Sequence, residues 1–366
     1  MKSYSVNHDQ MEAAFQCLNH LINEDGKMFV IAGSAGTGKT YLLNAMESLL
    51  KTDYQVRVGA FTGVASKLAS NHGSTLHTLL YEPYLDENEN IKFQKKDIND
   101  IDFDYLIVDE ASMVPDEMLD FMLDTNAKII FFGDHKQLPP VSTSHVNLLD
   151  NPDYTLTEIV RTKKDDPIVK LSIDYYNGHK VTKKYNKYDN INVTTESLGN
   201  LLRNNEYDVI IAPTNDKRKT INKMVRHIKG IDSELPVSGE PIVCLKNEMT
   251  PQGEMVFNGE VFTVTSVSNI PNSDYQYYDF VSQDGTAHRR VKINNRYFEN
   301  DFNRYDMDIE GYAFTFAYAL TCHKTQGKQF DRVLYIDDDV SYFLPQNRYG
   351  YTAITRTVKE LTIKIK

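Results

Sequence analysis

A chain of 366 residues, 41% hydrophobic and 25% charged with a net charge of −11, has room for two or three domains and is not a disordered tail. The apolar run around Tyr312 to Leu320 is too short to cross a bilayer, and no signal-type core follows Met1-Lys2-Ser3-Tyr4. Cys17, Cys244 and Cys322 lie far apart with no C-x-x-C pair, which argues against a disulfide framework or a zinc site. A soluble cytoplasmic protein with no membrane partner is expected. The acidic balance confines any nucleic-acid binding to a local groove.

In chain order, Asn7 can cap a helix whose apolar positions Met11, Phe15, Leu18 and Ile22 follow a helical period. Gln10, three residues after the cap, has two readings: it closes a capping box on Asn7, or its amide reads an adenine edge. The run Met28 to Ala32 then reads as a strand leading directly into Gly33-Ser34-Ala35-Gly36-Thr37-Gly38-Lys39-Thr40, which fits G-x-x-x-x-G-K-[ST]. Leu42, Leu43, Met46, Leu49 and Leu50 continue it as a helix. Strand, loop and helix in that order make a phosphate cradle: the glycines let backbone N–H groups converge on phosphate oxygens, the helix aims its positive end at the anion, and Lys39 adds a mobile charge.

Val56 to Phe61 reads as a strand ending in Thr62-Gly63-Val64-Ala65, and Ser74-Thr75-Leu76-His77-Thr78-Leu79 opens a short helix. Hydroxyls at these strand exits either cap helices, Thr62 and Ser74 being the candidates, or face a second ligand. Tyr81 to Asp97 reads as a small hairpin around Asp86-Glu87-Asn88-Glu89-Asn90. Tyr105 to Val108 is a buried strand ending in Asp109-Glu110, a carboxylate pair suited to magnesium chemistry beside phosphates, or else a solvated strand end. Ala127 to Phe132 is another, stopped by Gly133-Asp134-His135-Lys136-Gln137-Leu138-Pro139-Pro140. Asp165 to Asn200 carries little pattern. Strands resume at Val209 to Ala212; Pro236 to Asn300 alternates as in a small β-barrel, and Tyr312 to Leu320, Val333 to Ile336 and Leu361 to Ile365 return to an α/β pattern.

The ordered series of these motifs resembles superfamily 1B helicases of the RecD-like and phage Dda-like group. It runs through Gln10, the phosphate loop, Phe61 to Ala65, Ser74 to His77, Asp109 to Met113, Gly133-Asp134 with Gln137-Leu138-Pro139, and Leu156 to Arg161. It resumes with Ala212-Pro213-Thr214-Asn215, Phe257-Asn258-Gly259-Glu260, Ala319 to Gly327 and Tyr351-Thr352-Ala353-Ile354-Thr355-Arg356. Gln329 departs from the Glu usual in relatives, and Thr357 follows Arg356 where a small residue is common.

The resemblance implies an α/β fold of two RecA-like parallel-sheet motor domains, residues 1–163 and 164–366. It places a pin-like hairpin insertion at 81–97 in the first and an SH3-like β-barrel insertion at about 235–305 in the second. It implies an ATP-dependent DNA helicase moving 5′–3′ on single-stranded DNA and unwinding duplexes; the alternative is a translocase that displaces bound proteins without processive unwinding. ATP and Mg²⁺ are the implied cofactors. Single strands, single–double junctions and replication or repair proteins are the implied partners of a monomeric motor, in the host cytoplasm if phage-encoded.

By the same resemblance Lys39, Glu110, Gln137, Arg161 and Arg356 are catalytic. Gln10, Gly33, Ser34, Ala35, Gly36, Thr37, Gly38, Lys39, Thr40 and Gly327 bind ATP, with Thr40 and Asp109 on the metal. Phe61, Thr62, Thr75, His77, Thr321, His323 and Lys324 line or adjoin the single strand, and Phe93 is the aromatic candidate for strand separation.

Overall fold

The computed structural model describes residues 5–61, 65–66, 69–70, 73–85, 91–139, 148–160, 166–250, 255–268, 270–282, 285–298, 311–338 and 345–366. In chain order these form α1 (His8–Leu18), β1 (Met28–Gly33), α2 (Lys39–Leu50), β2 (Val56–Ala60), β3 (Ser74–Thr75), α3 (Leu76–Leu80), β4 (Tyr81–Leu85), β5 (Ile91–Lys95), β6 (Tyr105–Asp109), α4 (Asp116–Asp124), β7 (Lys128–Gly133), β8 (Tyr154–Leu156) and α5 (Pro167–Tyr176). They continue as β9 (Ile191–Thr194), α6 (Leu198–Asn204), β10 (Val209–Ala212), α7 (Asn215–Ile228), β11 (Pro241–Cys244), β12 (Glu248–Met249), β13 (Met255–Val256), β14 (Val261–Val267), β15 (Tyr275–Ser282) and β16 (Ala287–Asn294). Last come β17 (Phe314–Phe316), β18 (Ala319–Thr321), α8 (Cys322–Thr325), β19 (Phe330–Ile336), α9 (Gln346–Ile354) and β20 (Thr357–Lys364).

Two compact units result: Met1–Lys180 with Pro345–Thr355, and Val181–Leu344 with Arg356–Lys366. The division expected at 163/164 therefore falls later by contact. α5 packs in the first unit against α9, with Tyr176 and Tyr351 meeting edge to face at 5.7 Å.

The first unit is built on a parallel sheet ordered β3-β2-β6-β7-β1-β8. Its central strands are apolar without alternation because both faces are covered. Phe29 and Ile31 pack with Leu42, Leu43 and Met46 of α2, while Val30 and Ala32 pack on the other face with Met118, Phe121 and Met122 of α4. β4 and β5 leave this sheet as a separate antiparallel pair, with Pro83 opposite Phe93.

The second unit carries a parallel sheet, β18-β10-β19-β20-β9, and an antiparallel one, β16-β15-β14-β11-β17. In the latter, β15 alternates buried and half-buried positions along its whole length, the mark of a sheet with one face on a core. Phe262, Phe280 and Phe314 cluster there with centroids 4.8 to 5.8 Å apart. This sheet runs past residue 305. Phe314–Phe316, which the sequence pattern groups with the returning α/β part, is its edge strand, paired antiparallel to β11.

One expectation is reversed. Of the stripe Met11, Phe15, Leu18 and Ile22 only Leu18 packs against the core; the other three are 56%, 67% and 43% exposed. The buried row is instead Asp9, Ala13, Cys17 and Leu21, with Gln10 beside it. Polar anchors outweigh the apolar stripe. The Asp9 carboxylate accepts from the Tyr154 hydroxyl at 2.9 Å and from the backbone N–H groups of Thr157 at 2.8 Å and Glu158 at 2.9 Å. Hydrogen bonds to a charged group contribute about 1.5–3 kcal/mol each. Those bonds hold the carboxylate below its ordinary range against the opposing effect of burial, and they fix which side of α1 turns inward.

Candidate active site

The phosphate loop leaves β1 at Gly33 and turns twice through the left-handed region, at Gly36 (φ 85°) and Gly38 (φ 77°). At Gly38 a Cβ would stand 2.5 Å from Gln10 Nε2 and 2.8 Å from Val160 Cγ2, so both the conformation and the space demand glycine. Because Gly38 is the N-cap of α2 and offers no side chain, the first N–H groups of the helix face the loop's concavity. The Lys39 ammonium donates to the carbonyls of Gly33 (2.7 Å) and Ser34 (3.1 Å) and stands 4.0 Å from the Asp134 carboxylate. Ser34, Ala35 and Gly36 are half-buried, Thr37 is buried, and Thr40 is exposed on the first turn of α2.

Asp109 and Glu110 stand at the end of β6, in the same sheet as the strand that feeds the loop. Burial, followed by the neighbouring Glu110 charge, pushes the Asp109 carboxyl up to about 7. Glu110 adopts φ 52°, which costs a non-glycine residue roughly 1–2 kcal/mol. Gln137 is 5% exposed, and its Oε1 is buried with no hydrogen-bond partner among the described residues. A buried orphan acceptor is uncommon in native proteins, and a water or ligand is the usual explanation.

Gln10 closes the capping box: its N–H donates to Asn7 Oδ1 at 2.8 Å, and its Oε1 accepts from the Asn7 N–H at 3.1 Å. Its Nε2 donates to the carbonyls of Thr37 (3.1 Å) and Gly38 (3.4 Å). Both ends of the amide are thus engaged in the protein, the capping alternative of the sequence, and the residue also braces the loop.

Three site residues were not singled out from the sequence: Asp9, Tyr351 and Thr352. The Tyr351 hydroxyl accepts from the Ala35 N–H at 2.7 Å and donates to Asp134 Oδ2 at 2.6 Å. It therefore stands where loop amides would meet a phosphate oxygen. Thr352 Oγ1 accepts from the Leu138 N–H at 3.0 Å, bracing the backbone next to Gln137. Both belong to the segment from Tyr351 to Arg356, in which only the arginine drew attention.

Among the expected nucleic-acid contacts of the first unit, Thr75 is buried and its hydroxyl caps α3, accepting from the Thr78 N–H at 3.2 Å; the cap is Thr75, not Ser74. Phe61, His77, Tyr81 and Phe93 form one ring cluster around His77, with centroid distances of 5.5, 5.5 and 6.2 Å to Phe61, Tyr81 and Phe93. Burial lowers the His77 pKa, so the ring is neutral at pH 7, and its Nδ1 has no partner among the described residues. Thr62 and Arg161 lie outside the described residues.

In the second unit Thr321 caps α8 without a side-chain bond, and burial lowers the pKa of His323. Lys324 Nζ donates to Asn258 Oδ1, and Gly327 is left-handed at φ 69°. Lys328, buried beside it, donates to the carbonyls of Gly259 and Lys324, and burial lowers its pKa to about 7. Arg356 is 5% exposed, and its guanidinium donates to the Lys328 carbonyl at 3.3 Å. The structure thus brings Lys39, Asp109, Glu110, Gln137 and the loop into one unit, and Arg356, Gly327 and Lys324 into the other.

No group of three or more His, Cys, Asp or Glu that could hold a metal occurs among the described residues, and no described helix is long and apolar enough to cross a membrane. Thr40 and Asp109 suit a hard cation that takes few protein ligands and shares phosphate oxygens: both offer oxygen, and burial leaves the Asp109 carboxylate in need of a positive partner.

A parallel sheet whose first strand runs into a phosphate loop and whose neighbouring strand ends in Asp-Glu defines a phosphate-loop nucleoside-triphosphatase fold. A family model described as AAA domain matches residues 5–196, and one described as UvrD-like helicase C-terminal domain matches residues 316–363. The ATP-dependent DNA helicase dda of Enterobacteria phage T4 is 31% identical over 183 residues, 45% of this chain and 41% of that protein. The ATP-dependent RecD2 DNA helicase of Deinococcus radiodurans is 25% identical over 356 residues, 90% of this chain and 46% of that protein. The chain spans less than half the length of these two curated relatives. The crystal structure of Bacteroides Pif1 bound to ssDNA has the same fold, with a TM-score of 0.60 at 19% identity over 98% of this chain and 93% of that one. The chain belongs to the AAA-domain family and, within it, to the superfamily 1B helicases.

Proposed function

We propose that this protein is an ATP-dependent DNA helicase that moves 5′–3′ along single-stranded DNA and separates duplex ahead of it. One observation carries the reading: a phosphate loop, a strand-end Asp-Glu pair and a buried glutamine with an unpartnered amide oxygen occur together in the first unit. Relatives named as DNA helicases, and a structural neighbour described as bound to ssDNA, support it.

In this reading Lys39 leaves its loop carbonyls for the terminal phosphates, while Gly33 to Gly38 supply N–H donors. Thr40 and Asp109 would hold Mg²⁺, whose chemistry is to neutralise charge on the transferring phosphoryl group. Glu110 orients the attacking water and takes a proton from it, and Gln137 senses the terminal phosphate. Arg356, and Arg161 likewise, would act as arginine fingers, adding guanidinium charge to the transferring group. Arg356 would first exchange its bond to the Lys328 carbonyl for one to phosphate. Gln10 would turn its amide to the adenine edge, and Gly327 would adjoin the nucleotide. Phe61, Thr62, Thr75, His77, Thr321, His323 and Lys324 would line or adjoin the strand, and the barrel-like sheet around β14 and β15 would be the SH3-like insertion. A strand-displacement assay with 5′-tailed and 3′-tailed duplexes tests the proposal. Unwinding of the 5′-tailed substrate alone is expected, and unwinding of the 3′-tailed one would reverse the assigned direction.

Tyr351→Phe removes the hydroxyl from both Ala35 and Asp134. ATP binding is expected to tighten severalfold, because the Ala35 N–H no longer has a competing acceptor, while thermal stability falls by about 1–2 kcal/mol. Unchanged ATP affinity in a titration would show that the hydroxyl does not compete with phosphate.

Phe93 tests the hairpin as a strand-separating pin. Stacking on a base contributes about 1–3 kcal/mol, comparable with a DNA stacking step of about 1.4 kcal/mol. Its contact with His77 favours the competing role of fastening the hairpin to the first unit. For a pin, Phe93→Ala should slow unwinding strongly while leaving DNA-stimulated ATPase near normal. A joint fall in unwinding, ATPase and melting temperature would identify a packing residue.

A further inference from the structure

Lys328 is a buried cation to which the chemistry above gives no task. It is 3% exposed and makes no ion pair among the described residues. Burial lowers its pKa to about 7; the Lys324 charge adds to that effect and the Glu260 charge opposes it. The Glu260 carboxylate is itself held in its own turn, accepting from the Phe257 N–H at 3.1 Å. An unbranched apolar side chain would fill the same space without the desolvation of an ammonium. What the lysine adds is a set of directional N–H donors.

Those donors join three segments of the second unit. Lys328 Nζ donates to the Gly259 carbonyl, in the turn before β14, and to the Lys324 carbonyl at 2.7 Å, within α8. Its backbone N–H donates to the Thr325 carbonyl at 3.1 Å. Its own carbonyl accepts from Arg356 Nη1 at 3.3 Å. Gly327, immediately before it, is left-handed at φ 69°, and Gly259 is left-handed at φ 87°. Glycine leaves the backbone free to turn, so the local chain does not by itself fix the direction of the Lys328 carbonyl. The side chain supplies the missing constraint, because it ties the residue at its far end to α8 and to Gly259. The Phe330 N–H donates to the Arg356 carbonyl at 2.9 Å, which fixes the arginine's backbone but not its guanidinium.

We infer that Lys328 is a positioning residue for Arg356: its side-chain bonds to Gly259 and Lys324 set the carbonyl on which the guanidinium is held before it meets the transferring phosphoryl group. This rests on the reading of Arg356 as an arginine finger. A guanidinium that starts from one fixed place reaches phosphate by a short exchange of partners. One that samples several places is seldom in position, and misplacement by about 1 Å lowers a rate on the order of 10²-fold.

The test is a double-mutant cycle on ATPase stimulated by oligothymidylate, run with wild type, Lys328→Met, Arg356→Ala and the pair, each with its melting temperature. Lys328→Met should lower kcat on the order of 10²-fold with the KM for ATP and the melting temperature near those of wild type. On the Arg356→Ala background the same change should cost almost nothing further, because the group it positions is already gone. Should Lys328→Met melt below the assay temperature, Lys328→Gln, which keeps two N–H donors one atom short of their acceptors, takes its place in the cycle. An equal fall in kcat on both backgrounds would make Lys328 a residue of the fold and overturn the proposal. Wild-type kcat in Lys328→Met beside an impaired Arg356→Ala would overturn it alone, whereas wild-type turnover in Arg356→Ala would end the finger reading and this proposal with it.

Discussion

Glu110→Gln is expected to bind ATP about as tightly as wild type and to hydrolyse it slower by a factor on the order of 10²–10⁴, the usual share of a positioned general base. The carboxamide keeps the volume and the hydrogen-bonding reach of the side chain and removes only its capacity to take a proton. The left-handed backbone of Glu110 tolerates the change because the side chain beyond Cβ is isosteric. Lys39→Ala provides the contrast. Its ammonium neutralises bound phosphate, so nucleotide affinity should fall together with turnover. Filter binding of ATP alongside single-turnover hydrolysis separates the two, and an equal loss of affinity in both variants would remove Glu110 from the base assignment.

Arg356→Ala is expected to lower DNA-stimulated ATPase on the order of a thousandfold with little change in ADP affinity. A guanidinium that meets only the transferring phosphoryl group acts on the rate and not on the diphosphate product. The residue also has a structural bond, to the Lys328 carbonyl, inside the second unit. Arg356→Lys distinguishes the roles: a single ammonium can still reach that carbonyl and keep the unit folded, yet it does not reproduce the planar fork on phosphate. A lysine variant with normal melting and lost ATPase supports the finger. Recovery of ATPase by lysine, or wild-type turnover in the alanine variant, would leave Arg356 as a brace for residues 328–356.

What the sequence alone determined is what is encoded contiguously. Met28 to Thr40 is strand, loop and helix in one reading because each signal (unbroken apolarity, glycines at the left-handed turns, a helical period) involves neighbours only a few residues apart. Tyr105 to Glu110 was legible for the same reason, and so were β1, β2, β7, β10 and β19, whose apolar runs need no partner to be recognised; the short β3, β8 and β9 were not, β9 lying in the stretch from Asp165 to Asn200 that carries little pattern. The tertiary structure decided whatever depends on residues distant in the chain. The inward face of α1 was set by Asp9 reaching Tyr154, Thr157 and Glu158, not by the stripe Met11, Phe15 and Ile22. Phe314–Phe316 joined the antiparallel sheet because β11 offered it an open edge some seventy residues earlier in the chain. Tyr351 became part of the phosphate loop's surroundings only because α9 packs in the first unit, where a hydroxyl 316 residues away in sequence meets the Ala35 N–H. Local periodicity carries no record of such partners: a hydrogen bond or an edge pairing is specified by which surfaces come together, and that is settled only when the whole unit folds.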